Sequence, residues 1–147
     1  GEGQEMYYAQ CNLGVMYYNG DGVPQYKGKA AELYEQGAVH CQAGAQSNLG
    51  VMYCNEDGVP QDKGQAAELF EQAAAQGQAG AQCNLGVMYD DGGGVPQDKG
   101  KAAEFYEQPA AQGFADTQCT FGVLYHKVDG VPQDKGEGSG ALRAGPR

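Results

Sequence analysis

Five cysteines, two histidines and a scatter of carboxylates are the residues with the most chemistry to offer in this sequence. Cys11, Cys41, Cys54, Cys83 and Cys119 form an odd set with no CxxC or CxxH spacing, which argues against a zinc site and against a complete disulfide framework. His40 directly precedes Cys41, and adjacent residues on a helix point in different directions, so the two make a poor base and nucleophile. No third residue orients the imidazole. His126 stands alone on its segment and reads as a surface residue. Asn19-Gly20-Asp21-Gly22 has the outline of a calcium loop. An EF-hand, however, needs an acid two positions earlier, where Tyr17 sits, and a glutamate near the loop end, where Gly28 sits. Asp90 and Asp91 offer a cation only weak contact, and a solvated acidic turn is the better reading. The only serines are Ser47 and Ser139, with no SxxK motif. We find no catalytic residue, no metal-ligand set and no cofactor motif, and expect a protein that is not an enzyme.

Charge and hydropathy narrow the partners. The 147 residues carry 19 acidic against 9 basic side chains, a net charge of -10, so neutralising phosphates on a basic surface is not expected and nucleic acid is a poor partner. No apolar run approaches the ~20 residues that cross a bilayer, and we expect no membrane insertion. Gly1 to Glu5 lacks the basic and apolar regions of a signal peptide.

The elements that would position these side chains follow from an internal repeat. Asn84-Leu85-Gly86-Val87-Met88-Tyr89 recurs as Asn48 to Tyr53, as Asn12 to Tyr17 and, loosened, as Thr120 to Tyr125, each copy 36 residues from the next. Such a period signals stacked units that share one continuous core. The expected organisation is a disordered lead over 1–5, a solenoid over 6–136 with repeats at 9–44, 45–80 and 81–116 and a partial one at 117–136, and a flexible Gly-rich tail over 137–147.

Within a unit, Ala81, Leu85, Met88 and Tyr89 form one stripe of an amphipathic helix A. Gly86, Gly50, Gly14 and Gly122 sit inside it, where glycine costs about 1 kcal/mol relative to alanine, which suggests that neighbouring backbones approach closely there. A turn follows, Gly92-Gly93-Gly94-Val95-Pro96 or Asp57-Gly58-Val59-Pro60 or Asp21-Gly22-Val23-Pro24. Asp62, Asp98 and Asp134 are placed to N-cap helix B, with Tyr26 in that position in the first unit. Helix B places Ala66, Leu69, Phe70, Ala73 and Ala74 on one face. Antiparallel helix pairs with short links predict an all-α solenoid. Pro109 inside the third helix B predicts a kink or break near Gln108. Cys11 near the start of one helix and Cys41 near the end of its antiparallel neighbour leave a single disulfide open.

This pattern, AQxNLGVMYxxxxGVPQDxGxAAELYEQAAAQG, resembles the Sel-one-like repeat, a relative of the tetratricopeptide repeat, over about Tyr8 to Gly136. The resemblance implies a right-handed α/α superhelix with the A helices on the concave side, a scaffold or adaptor role toward protein or peptide, and no shared catalytic residues. Some cysteine-rich relatives are linked to β-lactams, an activity that would need a nucleophile or metal and the two cysteines per repeat missing here.

Counting 100° per residue, Cys83, Val87 and Asp90 point away from the stripe of helix A, in positions that resemble the ligand-facing sites of tetratricopeptide repeats. The expected partner-binding rungs are Cys11, Val15, Tyr18 and Asn19; Ser47, Val51, Cys54 and Asn55; Cys83, Val87, Asp90 and Asp91; and Cys119, Val123, His126 and Lys127. Variation at Tyr18, Cys54, Asp90 and His126 fits either a tailored groove for a peptide or helix, or drift at exposed sites. Asn12, Asn48 and Asn84 recur beside this groove. Met6, Tyr7 and Tyr8 at one end, and Phe121, Leu124 and Tyr125 at the other, are candidate end contacts. Through them copies could self-associate head to tail into an open assembly.

Overall fold

The computed structural model describes residues 2–111, and these form six helices with no strand among them: α1 (Glu2–Asn19), α2 (Lys27–Val39), α3 (Ala43–Asn55), α4 (Lys63–Ala75), α5 (Ala79–Asp91) and α6 (Lys99–Ala111). Each helix packs chiefly on the next in sequence, more extensively within a unit than between units. This is the quasi-one-dimensional packing of an α solenoid, with α1, α3 and α5 as A helices and α2, α4 and α6 as B helices.

A recurring set of local bonds makes each A-to-B turn. The amide of Gln25 donates to the Tyr18 carbonyl, Gln61 to that of Cys54 and Gln97 to that of Asp90, at 2.9, 2.9 and 2.8 Å. The backbone N–H groups of Tyr26, Asp62 and Asp98 donate to the carbonyls of Tyr17, Tyr53 and Tyr89. The last carbonyls of helix A, which have no partner within the helix, are thus satisfied by the Val-Pro-Gln segment that follows. Asp62 and Asp98 cap helix B as expected, accepting from the N–H groups of Gln65 and Lys101 at 3.0 and 3.1 Å. Tyr26 makes no side-chain cap. Asp134 lies outside the described residues.

The core is a ladder of aromatic rings on glycines. An ideal Cβ on Gly14, Gly50 or Gly86 would meet the ring of Tyr34, Phe70 or Tyr106 respectively, at 2.8 Å in the case of Phe70. The glycine therefore admits the aromatic side chain of its own unit's helix B, where sequence reasoning had placed a neighbouring backbone. Around Phe70, fully buried, pack Ala66, Ala73, Ala81, Leu85 and Met88.

Two segments expected to be irregular are helical. α1 begins at Glu2, so residues 2–5 of the expected lead belong to its first turn. Its first turns are tied to the α2–α3 link, where Gln42 donates to the Gln4 side chain at 2.6 Å and Tyr7 stacks on His40 with centroids 3.7 Å apart. Pro109 does not break its helix, which runs on to Ala111. It lies in the last turn, where the missing N–H forfeits only the bond to the Phe105 carbonyl, and its ring is buried.

Gly50→Ala drives a methyl group into Phe70 and should lower unfolding free energy in urea by about 1–3 kcal/mol, the usual range for overpacking. Gly64→Ala, on an exposed part of α4 with only the Asp62 carboxylate within 3.6 Å, should be neutral or stabilising. Equal effects at the two sites would contradict the ring-on-glycine account.

Candidate functional site

The A helices carry the candidate groove, and burial divides the expected rungs into two kinds. Val15, Asn19, Asn55 and Asp91 are exposed, and Tyr18, Val51 and Asp90 are half-buried. Cys11, Ser47, Cys54, Cys83 and Val87 are buried, so they are not available to a partner in this arrangement. The reason is that a solenoid helix has neighbours on two sides. The Cys11 sulfur lies beside Gly44 of the next A helix, and Cys83 and Val87 pack with Tyr106. Counting one apolar stripe per helix overlooks this second contact. Cys119, Val123, His126 and Lys127, like Phe121, Leu124 and Tyr125, lie outside the described residues. Of the other end contacts, Met6 and Tyr8 are exposed, while Tyr7 is half-buried against His40.

Cys11 and Cys41 are not joined. Cys11 is buried, with its thiol pushed up by desolvation, and Cys41 is exposed in a left-handed conformation at φ 66°. The Cys54 thiol is likewise pushed up to about 12, by burial first and by the carboxylate of Asp91, against a smaller opposing effect of Lys63. Neither thiol has the electropositive, accessible setting of a reactive cysteine. Among the described residues no group of three or more His, Cys, Asp or Glu is placed to hold a metal ion, and no helix is long and apolar enough to cross a membrane.

The residues that form open space differ from the expected rungs by about one helical row. A cleft of about 260 Å³ is lined by Tyr18, Tyr34, Asn48, Val51 and Met52. A shallower depression of about 360 Å³ lies at Gln4, Glu5, Tyr8, Ala9, Asn12 and Gln42. Asn48 thus lines the cleft and Asn12, its equivalent 36 residues earlier, lines the shallower depression. Asn48 also hydrogen-bonds Tyr34, whose hydroxyl is pushed up to about 12 chiefly by burial, with smaller effects of Cys11 and Tyr18. The recurrence of asparagine was the available signal. Tyr34, a helix B residue, carried none.

Tyr18 belongs to the junction between the first two repeats. The Tyr18 hydroxyl donates to Asp57 of the next unit's turn, Lys27 Nζ lies 2.7 Å from the same carboxylate, and that ammonium sits 4.9 Å above the Tyr18 ring. Burial and Asp57 raise the Tyr18 hydroxyl to about 12. Burial alone would raise the Asp57 carboxyl, but the bonds from Lys27 and Tyr18 and the lysine charge outweigh it and hold the carboxyl below its ordinary value. One unit on, Cys54 is buried, and in the third unit Asp90 pairs with Lys99 at 2.6 Å. In these three units the position is thus filled in three ways: a triad across a junction, a buried thiol and an ion pair within the unit.

Comparison with known proteins agrees with this architecture. The Sel1 repeat model matches residues 8–38, 43–78 and 79–114. The chain belongs to the Sel1 repeat family. Sel1 repeat proteins are generally scaffolds for protein interactions and typically lack enzymatic activity. Among solved structures, the chain is similar to a protective antigen of uropathogenic Escherichia coli with an SLR fold. The identity is 40% and the TM-score 0.72, over 75% of this chain and 24% of that one. It is also similar to a Sel1 repeat protein from Oxalobacter formigenes, at 28% identity and TM-score 0.73 over 78% of this chain and 46% of that one. The Sel1 chain thus spans less than half the length of either protein. No curated protein matches it.

The Tyr18–Asp57–Lys27 triad predicts a pH dependence. Because the folded Asp57 carboxyl is held below its unfolded value of 3.8, its stabilisation is present above that value and is lost as pH falls through the folded one. Asp57→Asn should lower the urea midpoint near neutral pH by an amount equivalent to about 1 kcal/mol or less, given its partial exposure, and should flatten the acid loss. Identical acid profiles for both proteins would show that the triad does not stabilise the junction. Tyr18 contributes below its unfolded value of 10.0, and that contribution should fade as pH rises toward about 12.

Proposed function

We propose that this Sel1 repeat chain is a protein-interaction scaffold that holds an extended peptide or a partner helix along the groove of its A helices. The observation that carries the reading is the cleft at Tyr18, Tyr34, Asn48, Val51 and Met52. It combines an apolar floor with the hydroxyl of Tyr18 and the amide of Asn48, the mixture of a side-chain pocket and backbone-directed polar groups that peptide sites use. Exposed Asn12, Val15 and Asn19 continue the row on α1, and exposed Asn55 and Asp91 continue it toward the third unit. With a net charge of -10 on the chain, a partner with basic side chains flanking an apolar anchor fits best.

Peptides selected from a random display library against the full chain test this. Val51→Asp should weaken the selected peptides by at least about tenfold, as expected for loss of an apolar anchor, while the circular dichroism spectrum stays native. Selected peptides that bind the variant as well as the parent would overturn the groove reading. A second reading, a structural subunit that assembles through its end, is favoured by the exposure of Met6 and Tyr8 on α1. A mass that stays at 15.4 kDa across a dilution series would exclude that reading.

A further inference from the structure

The cleft on the A helices lies at the first junction, and its lining differs in one respect from the equivalent residues a unit later. Asn48, Val51 and Met52 recur as Asn84, Val87 and Met88. The two lining residues that change are the aromatic walls, since Tyr18 and Tyr34 give way to Cys54 and Phe70. A second change accompanies the loss of Tyr18. At the first junction Tyr18 donates to Asp57, and Lys27 pairs with that carboxylate at 2.7 Å. At the next junction the lysine is kept as Lys63, its ammonium 3.6 Å from an ideal Cβ on Gly93, but Cys54 and Gly93 stand where the tyrosine and the aspartate were. The phenol and its acceptor are present together or absent together.

The two walls are held by different means. Tyr34 is 3% exposed and fixed by packing, whereas the Tyr18 ring is half-buried. It is held instead at two points, with its hydroxyl on Asp57 and the Lys27 ammonium 4.9 Å above its centroid. Neither Asp57 nor Lys27 is among the residues that line the cleft. Three elements build the cleft: α1 through Tyr18, α2 through Tyr34, and α3 through Asn48, Val51 and Met52. The triad ties the same parts of the chain together from behind, because Lys27 opens α2 and Asp57 lies in the turn that follows α3.

The geometry points to Asp57 as a positioning residue for ligand binding: it holds the Tyr18 ring in place as a wall, so that the cleft is shaped in advance for one large apolar side chain of a bound peptide. Lys27 supports this role by fixing the carboxylate. The physical reason is the cost of ordering. A half-buried tyrosine released from its acceptor turns about its side-chain bonds, and a ligand must then immobilise it on binding, whereas a wall already in place adds no such cost. This inference rests on the groove reading and extends it to a residue outside the groove.

The probe is a peptide from the display selection against the full chain, chosen because Val51→Asp weakens it, with its affinity measured by calorimetry on folded protein. A bond that only stabilises the fold contributes equally to the free and bound chain and leaves affinity unchanged. A bond that orders the wall in advance shows in affinity when it is lost. Asp57→Ala should therefore weaken the peptide about two- to tenfold, the range for ordering one side chain on binding. Tyr18→Phe, which keeps the ring and loses only the hydroxyl, should weaken it by the same factor, and the double variant by no more than either alone, because both remove one bond. Lys99→Gln, which breaks the 2.6 Å ion pair with Asp90 in the third unit, should leave affinity unchanged. An affinity unchanged by Asp57→Ala would overturn the assignment and leave the groove reading standing. So would losses that multiply in the double variant, since Asp57 would then act independently of Tyr18. A selection that gives no peptide sensitive to Val51→Asp overturns the groove reading, and this inference with it.

Discussion

The seating of one aromatic ring of helix B on one glycine of helix A is the contact on which the rest of this structure depends. Without a side chain at Gly50, the Phe70 ring sits directly on α3 and draws α4 close enough for Ala66 and Ala73 to be fully buried with it. The small residues then make sense together. Alanine offers little apolar area per residue, so a core rich in it is effective only when backbones approach closely and dispersion contacts are dense. A bulkier residue at the glycine would separate the helices and strand those alanines. The same contact recurs with Tyr34 and Tyr106, and this repetition gives three units a common geometry.

Between units the demands are looser, and the chain meets them in different ways. Tyr18, Lys27 and Asp57 close one junction with a charge-assisted triad, while the next has a buried thiol at Cys54 in place of the phenol. Each solution only has to fill the space between two turns. The Gln46–Gln72–Gln76 network adds a polar seam, with Gln46 donating to Gln72 at 3.1 Å and accepting from Gln76 at 2.9 Å. The buried amide of Gln46 fixes register, since a slip of one helix against another would leave it unpaired. Interfaces built this way are sums of local contacts. A solenoid can therefore present open faces without losing its internal order.

The order of the helices and most of their interior faces were legible in the sequence. The 36-residue period set the unit, and the Gly-Pro turns and the Asp caps after two of them marked where helix A ends and helix B begins. These are local properties of the backbone, and local rules suffice for them. Asp62 and Asp98 behaved as caps because an oxygen three residues from an unpaired N–H needs no distant partner. Pro109 departed from its local rule because the loss of one hydrogen bond near a helix end is small beside the burial of its ring.

Which faces remain open was decided by tertiary structure alone. Cys11, Ser47, Cys83 and Val87 have the spacing of groove residues, yet the adjacent elements bury them. Leu13 and Met16 have the identity of core residues, yet they are 38% and 40% exposed. The sequence by itself determined a stack of Sel1 helix pairs, because periodicity and capping act between residues a few positions apart. Exposure depends on whether another helix occupies the space alongside. Identical motifs therefore become core in the second and third units and open surface in the first.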